Sequence, residues 1–336
     1  MKCTFLTGGY AKKEEAGVCR FSFDSDGGFL PQAGWTGFLN PSFLLPHPDL
    51  PVLYTVEETN PEGMIHAWRM TENGPEHSAC FSSGGADPCH LSLSADRRFL
   101  YAANYSGGSL AAFSLDEQGN ITDRSFLSKH RGHGPNILRQ EAAHVHFSRE
   151  IDGVLYACDL GQDSIFLYRN AGGAITETGR IRMPAGSGPR HLESSARYPG
   201  VIWCVSELSS EVFTLKNTED GWRICQELSL LPEGFRGEST AAAIHLSPDG
   251  SLLLATNRGH DSAAVFPLLP DGTLGDPVLS PCAAVPRDFM TAGDYVIIGS
   301  QRDSLIRAYR LDRESLKLSD TGWSVSAPSP VCFAPI

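Results

Sequence analysis

Short apolar runs alternate along the chain with clusters of Gly, Pro, Asp, Asn and Ser, and nowhere does the apolar pattern take on a helical period. Phe99-Leu100-Tyr101-Ala102-Ala103 and Leu252-Leu253-Leu254-Ala255-Thr256 are continuous apolar runs between turn signals, which read as buried strands. Ser247-Pro248-Asp249-Gly250 has the residues of a tight turn. The same grammar recurs in copies that begin at Pro41, Pro88, Ala142, Pro189, Ala241 and Pro286, between 45 and 54 residues apart. Each copy predicts a short first strand, a turn, an apolar second strand ending in polar residues, and a third strand after a small-residue turn. A fourth strand falls in the more variable sequence beyond. That period and content are those of propeller blades.

The two ends complete the count. Pro330-Val331-Cys332-Phe333 matches a first strand and lies 44 residues after Pro286, while the segment from Cys3 to Asp24 reads as a second and third strand. The expectation is an all-β, seven-bladed β-propeller of four-stranded blades, with residues 1–336 as a single domain. The ring is closed by strands from both termini, which leaves no unpaired edge between blades.

Superposing the copies puts Glu57, Asn104, Asp159, Ser206, Asn257 and Gln301 at one position, just after the second-strand run. The next position holds Glu58, Tyr105, Leu160, Glu207, Arg258 and Arg302, and near the start of first strands fall His90, His144, Arg190 and Arg287. Within Gly186–Leu208, Arg190 heads one strand and Glu207 follows the next, so antiparallel pairing lets the two charges share an edge. Pseudo-symmetry is expected to gather these positions at one mouth of the central channel, as a small-molecule site. For Asn104, Asp159, Asn257 and Gln301 the competing reading is bonding of side chain to backbone inside turns. His90 and His245 read equally well as hydrogen-bonded sheet histidines. Arg190, Glu207 and Arg258 come directly after apolar strands or turns and need partners, which either a ligand or a structural ion pair would supply.

Charge and composition narrow the partners. Against 27 Lys and Arg stand 39 Asp and Glu, a net charge of −12, which argues against nucleic acid and anionic membranes but leaves room for a small anionic substrate in an arginine-lined cleft. The nine cysteines are scattered without a CxxC pair, the N-terminus lacks the apolar core of a signal peptide, and no run is long enough to span a membrane. Together these point to the reducing cytoplasm. Zinc spacing is absent, His144-Val145-His146 lacks a third ligand, and there is no P-loop, dinucleotide fingerprint or G-x-S-x-G elbow, so neither metal nor cofactor is expected.

Several of these motifs, in order and in register, resemble the lactonase-type seven-bladed propellers, which include bacterial 6-phosphogluconolactonases and fungal 3-carboxy-cis,cis-muconate lactonizing enzymes. They are Asn104-Tyr105, His144 before Asp159–Asp163, Gly186–Leu192, Ser206-Glu207-Leu208, Ser247–Ser262 and Pro286-Arg287. The resemblance implies a cleft with His144, Arg190, Glu207 and Arg258 as catalytic residues, a histidine and a glutamate serving proton transfer and arginines holding an anion. Asn104, Tyr105, His191, Asn257, Arg287 and Gln301 are the expected substrate-binding neighbours. It implies hydrolysis of a sugar lactone, 6-phosphogluconolactone or a related anionic lactone, with a lactonizing isomerase or a non-catalytic docking propeller as the alternatives. Three positions depart from the family pattern: Ala243 stands where a carboxylate is usual, Ala142 where a histidine is usual, and Glu193-Ser194-Ser195-Ala196 replaces an aromatic and His-Pro.

Overall fold

The computed structural model describes residues 1–336, folded as seven four-stranded antiparallel sheets with one short 3-10 turn, Leu160–Gln162. Six sheets follow the six internal copies, each with its strands in sequence order. In the seventh, strand Pro330–Pro335 lies beside Lys2–Gly9, followed by Val18–Asp24 and Gly28–Trp35, so the blade shared by the two termini is present as expected. No helix is long and apolar enough to cross a membrane.

The chain divides into two compact units. One comprises Met1–Thr7, Cys19–Gly34 and Arg190–Ile336, and holds the shared blade with the Pro189, Ala241 and Pro286 blades. The other comprises Gly8–Val18 and Trp35–Pro189, and holds the Pro41, Pro88 and Ala142 blades.

Packing explains why the second strands read as unbroken apolar runs. Every residue of Phe99–Asn104 and of Val201–Ser206 is buried: the former packs between the Pro41 and Ala142 blades of its unit, and the latter packs on the Ala241 blade of its own. In the first unit Trp203 and Val205 pack against Ile244, Leu253 and Phe266 of the Ala241 blade, whose Leu254 and Val265 pack in turn on Phe289 and Ile298. In the second, Tyr54 and Ile65 meet Leu100 and Phe113, while Tyr101 and Leu110 meet Val145 and Phe166. Each such side chain contributes about 1.5–3 kcal/mol on burial. Trp203 is wholly buried, and its indole N–H donates to the Gly272 carbonyl at 3.0 Å, so the polar edge of that ring is satisfied too. Fourth strands such as Ile121–Lys129 are largely exposed.

Four first strands share one irregularity. Their pairing to the second strand shifts register between Pro88 and His90, Val145 and Phe147, Ala241 and Ile244, and Pro286 and Phe289. A bulge releases backbone groups from the ladder and re-aims side chains. Of the polar residues singled out by the repeat, His90 and Arg287 lie at these breaks, and His144 and Asn257 beside them.

Candidate active site

Arg190 stands at the head of strand Pro189–Ser194, and Glu207 directly follows Val201–Ser206 in the same blade. The hairpin brings them together as expected: Arg190 Nε donates to Glu207 Oε2 at 3.0 Å. Arg258, at the end of Leu252–Arg258 in the next blade, places Nη2 2.8 Å from the same oxygen. The side chains of Arg190 and Glu207 are each 3% exposed and that of Arg258 13%, so one carboxylate serves two guanidinium groups almost out of water. Backbone carbonyls at the bulge add to the arginines' bonding, Ala242 accepting from Arg190 Nη1 at 2.6 Å and Ala241 from Arg258 Nη2 at 2.8 Å. His191 Nε2 lies 3.3 Å from Arg190 Nη1. A guanidinium only donates, so that nitrogen accepts and the ring proton sits on Nδ1.

A second polar group in this unit joins residues that the sequence did not link. His245 Nε2 lies 2.9 Å from Asp288 Oδ1, and its Nδ1 3.4 Å from Glu193 Oε1. Burial opposes charge on the ring, but Asp288 and Glu193 outweigh it and lift its pKa to about 10. His245 is therefore more than a satisfied sheet histidine; it is a cation between two anions. Its signal was in the repeat: Glu193 and His245 occupy the same position of neighbouring copies.

In the other unit His144 stacks on Tyr105, with ring centroids 4.5 Å apart and planes 15° apart. Its Nδ1 lies 3.1 Å from the Tyr105 carbonyl and its Nε2 3.2 Å from Glu141 Oε1. The Glu141 carboxyl is held below the usual range, first by a backbone N–H and then by His144. The backbone N–H of His144 donates to Asp159 Oδ1 at 2.9 Å, and Arg139 Nη2 donates to the Tyr105 hydroxyl at 3.2 Å. Glu141 and Arg139 belong to the variable stretch between copies, where no repeat position points to them.

The remaining expected residues serve in different ways. Asn104 and Asn257 are wholly buried, and their amides donate inward, Asn104 to the Ser83 carbonyl at 3.1 Å and Asn257 to the Leu230 carbonyl at 2.6 Å. Arg287 near the start of Pro286–Ala292 and Gln301 just after Tyr295–Ser300 are both half-buried in the first unit. No group of three His, Cys, Asp or Glu has the geometry to hold a metal ion.

Comparison with known proteins agrees with this architecture. Residues 4–335 match the family model described as lactonase, 7-bladed beta-propeller. Over 338 residues the chain is 31% identical to a 6-phosphogluconolactonase of Bacillus subtilis (strain 168), covering 97% of this chain and 96% of the relative. A 6-phosphogluconolactonase of Formosa agariphila is 28% identical over 330 residues, covering 91% of this chain and 92% of that protein. Among solved structures, the periplasmic gluconolactonase of Pseudomonas aeruginosa superposes with a TM-score of 0.91 at 27% identity, covering 100% of this chain and 99% of that one. A protein from Lactobacillus plantarum superposes with a TM-score of 0.90, also at 27% identity, and both chains are covered in full.

Proposed function

Because the chain belongs to the seven-bladed β-propeller lactonase family, we propose that it hydrolyses an anionic sugar lactone, 6-phosphogluconolactone or a close relative, with residues 1–336 acting as one domain. The observation that carries the reading is the Arg190–Glu207–Arg258 group, in which two guanidinium groups converge on one carboxylate in a nearly dry setting. In such a setting a fixed cation attracts an anion far more strongly than it would in water. Arg258 is the member with solvent access, so it is the one assigned to meet the substrate's phosphate or carboxylate, or the oxyanion of the tetrahedral intermediate. Glu207 has one oxygen engaged by both arginines, which suits it to orienting them.

His144 has the better geometry for proton transfer. Its nitrogens face a carbonyl and a carboxylate, so the protonated ring finds an acceptor at each end. In lactone hydrolysis a water oxygen bonds to the lactone carbonyl carbon and gives a proton to the base. The bond from that carbon to the ring oxygen then breaks, and the same proton is returned to the ring oxygen as it leaves. The product is the open-chain acid. Each group is assigned on its own geometry and is tested by its own variant.

The test is turnover of freshly made 6-phosphogluconolactone followed by pH-stat, beside unphosphorylated gluconolactone and a carboxymuconate. Acceleration of the phosphorylated lactone, with a KM at least tenfold higher in Arg258→Ala, supports the reading. No acceleration on any lactone sinks it. Turnover of the carboxymuconate alone replaces hydrolysis with lactonization. One structural relative is named as periplasmic, so the cytoplasmic location expected from the sequence is a separate proposal, tested by fractionating the source cells.

A further inference from the structure

The Glu193–His245–Asp288 cluster takes no part in the chemistry proposed above, yet its three members lie on the first strands of three consecutive blades. Glu193 is on Pro189–Ser194, His245 on Thr240–Leu246 and Asp288 on Pro286–Ala292. Both ring nitrogens of His245 face carboxylate oxygens, which only accept, so both contacts are hydrogen bonds only when the ring carries two N–H groups. Asp288 extends the link, its Oδ2 accepting the backbone N–H of Phe333 at 2.9 Å on strand Pro330–Pro335. One polar chain therefore joins the first strands of all four blades in this unit. The ionisable groups that face the ring are Glu193 and Asp288, and the other close neighbour is the Phe289 ring, edge-on at 4.8 Å.

Where this chain grips the Ala241 blade matters. The pairing of Thr240–Leu246 with Leu252–Arg258 breaks between Ala241 and Ile244 and resumes at Ile244 and His245. Inside the break the Ala242 carbonyl receives Arg190, and at its edge the Ala241 carbonyl receives Arg258 from the partner strand of the same blade. That stretch is thus held by side chains of its own partner strand, Thr256 and Arg258, and by links to the neighbouring blade. Two of the links are parallel rungs between the same pair of strands. Arg190 bonds Ala242, and three residues further along both strands Glu193 meets His245. At about 3.3 Å per residue the rungs are roughly 10 Å apart, too far for direct contact and close enough for one to fix the other through the strand.

We propose that His245, bridged as an imidazolium between Glu193 and Asp288, is a positioning residue that holds the bulged strand of the Ala241 blade against the Pro189 blade and so sets the geometry of Arg190 and Arg258. The proposal rests on the reading of the arginine group as the anion site. The high pKa of the ring agrees with it, since the charge persists across neutral pH. Neutralising His245 removes the second rung and leaves the Ala242 carbonyl free to drift from Arg190.

The test uses His245→Gln in the full chain, with two readouts. Exchange of the Arg190 Nε–H, which donates to Glu207 Oε2, is followed by nitrogen NMR and reports how firmly Arg190 is held without needing any ligand or activity. Titration with inorganic phosphate reports anion affinity, and lactone kinetics separate KM from kcat. The expected result is at least tenfold faster Nε–H exchange and about tenfold weaker phosphate binding, with KM raised and kcat within twofold. In the wild type, the same exchange quickens as pH passes about 10, and this step is absent from the variant. Unchanged exchange in His245→Gln overturns the proposal, whatever the kinetics. If exchange quickens but the wild type binds no phosphate and opens no lactone, the positioning stands and the anion-site reading falls. Should His245→Gln fail to fold, Glu193→Gln keeps the Asp288 link and is read in the same two ways, with unchanged exchange again overturning the proposal.

Discussion

Replacing Glu207 by Gln tests the ion cluster at its centre. The substitution keeps size and an acceptor oxygen but removes the only negative charge in the bonds described between Arg190, Glu207 and Arg258. With its side chain 3% exposed, Arg190 cannot recover hydration in exchange. Breaking a buried pair by removing one partner costs about 3–5 kcal/mol, because the surviving charge is left without compensation. The unfolding entropy of a 336-residue chain, at about 2.1 cal/mol/K per residue, is about 0.7 kcal/mol/K, so the loss corresponds to a Tm about 4–7 °C lower. Arg258, with 13% of its side chain exposed, regains some hydration and draws the value toward the lower end. Scanning calorimetry of both proteins at pH 7 measures it, with far-ultraviolet circular dichroism to show that the variant is folded. The drop should persist in 0.5 M salt, since a pair excluded from water is little screened. A decrease below 2 °C, about 1.4 kcal/mol on the same conversion, would refute the claim that this carboxylate organises two buried cations.

Three further outcomes follow from other parts of the structure. His144→Asn should lower kcat for lactone opening by about 10²–10⁴, the usual worth of a general acid–base group, and Glu141→Gln should lower it by less, because the Tyr105 carbonyl still orients the ring; equal activity in wild type and His144→Asn removes His144 from the chemistry. Gly161→Ala would place a Cβ 1.9 Å from the Ala142 carbonyl and 2.8 Å from the His144 nitrogen, so it should cost about 1–3 kcal/mol in chemical denaturation and reduce turnover by displacing His144. The pKa of His245 is raised in the folded protein from 6.5 to about 10, so its contribution to stability is complete below 6.5 and disappears as pH rises through 10. The wild-type Tm should therefore fall more steeply between pH 8 and pH 10.5 than that of His245→Gln, and parallel profiles would contradict the assignment.

What the sequence made legible was whatever the repeat repeats. Buried second strands are apolar up to their polar last residues, so Phe99–Asn104 and Val201–Ser206 announce themselves, and once six copies are in register the two termini supply the seventh. The Arg190–Glu207 contact also follows from hairpin logic, and the repeat adds Arg258. Superposition could not tell which equivalent positions face solvent. Asn104 and Asn257 share the repeat position of Gln301, yet they are wholly buried while Gln301 is half-exposed. Nor could it find Glu141, which reaches His144 from a segment with no counterpart in the other copies. Residue type and period identify a blade; contacts made by its irregular connections depend on loop paths that no period encodes.

Contacts between blades are the other half of what was hidden, and the departures from the family pattern show why. Ala243 lacks the carboxylate usual two residues before His245, and Glu193 is unusual where it stands, so taken singly each reads as a loss. In the fold they answer one another, because position 193 of the Pro189 blade faces position 245 of the Ala241 blade, and the carboxylate that meets the histidine comes from the neighbouring strand. Asp288 supplies the closer partner, at 2.9 Å against 3.4 Å for Glu193. Asp288→Asn should accordingly lower the pKa of His245 further than Glu193→Gln, and the double variant should lower it further still, since both anions that raise it are then gone. Proton NMR of the ring C–H signals measures all three. If Glu193→Gln leaves the titration of His245 where it is in the wild type, Glu193 does not stand in for the missing carboxylate, and the two departures are independent after all.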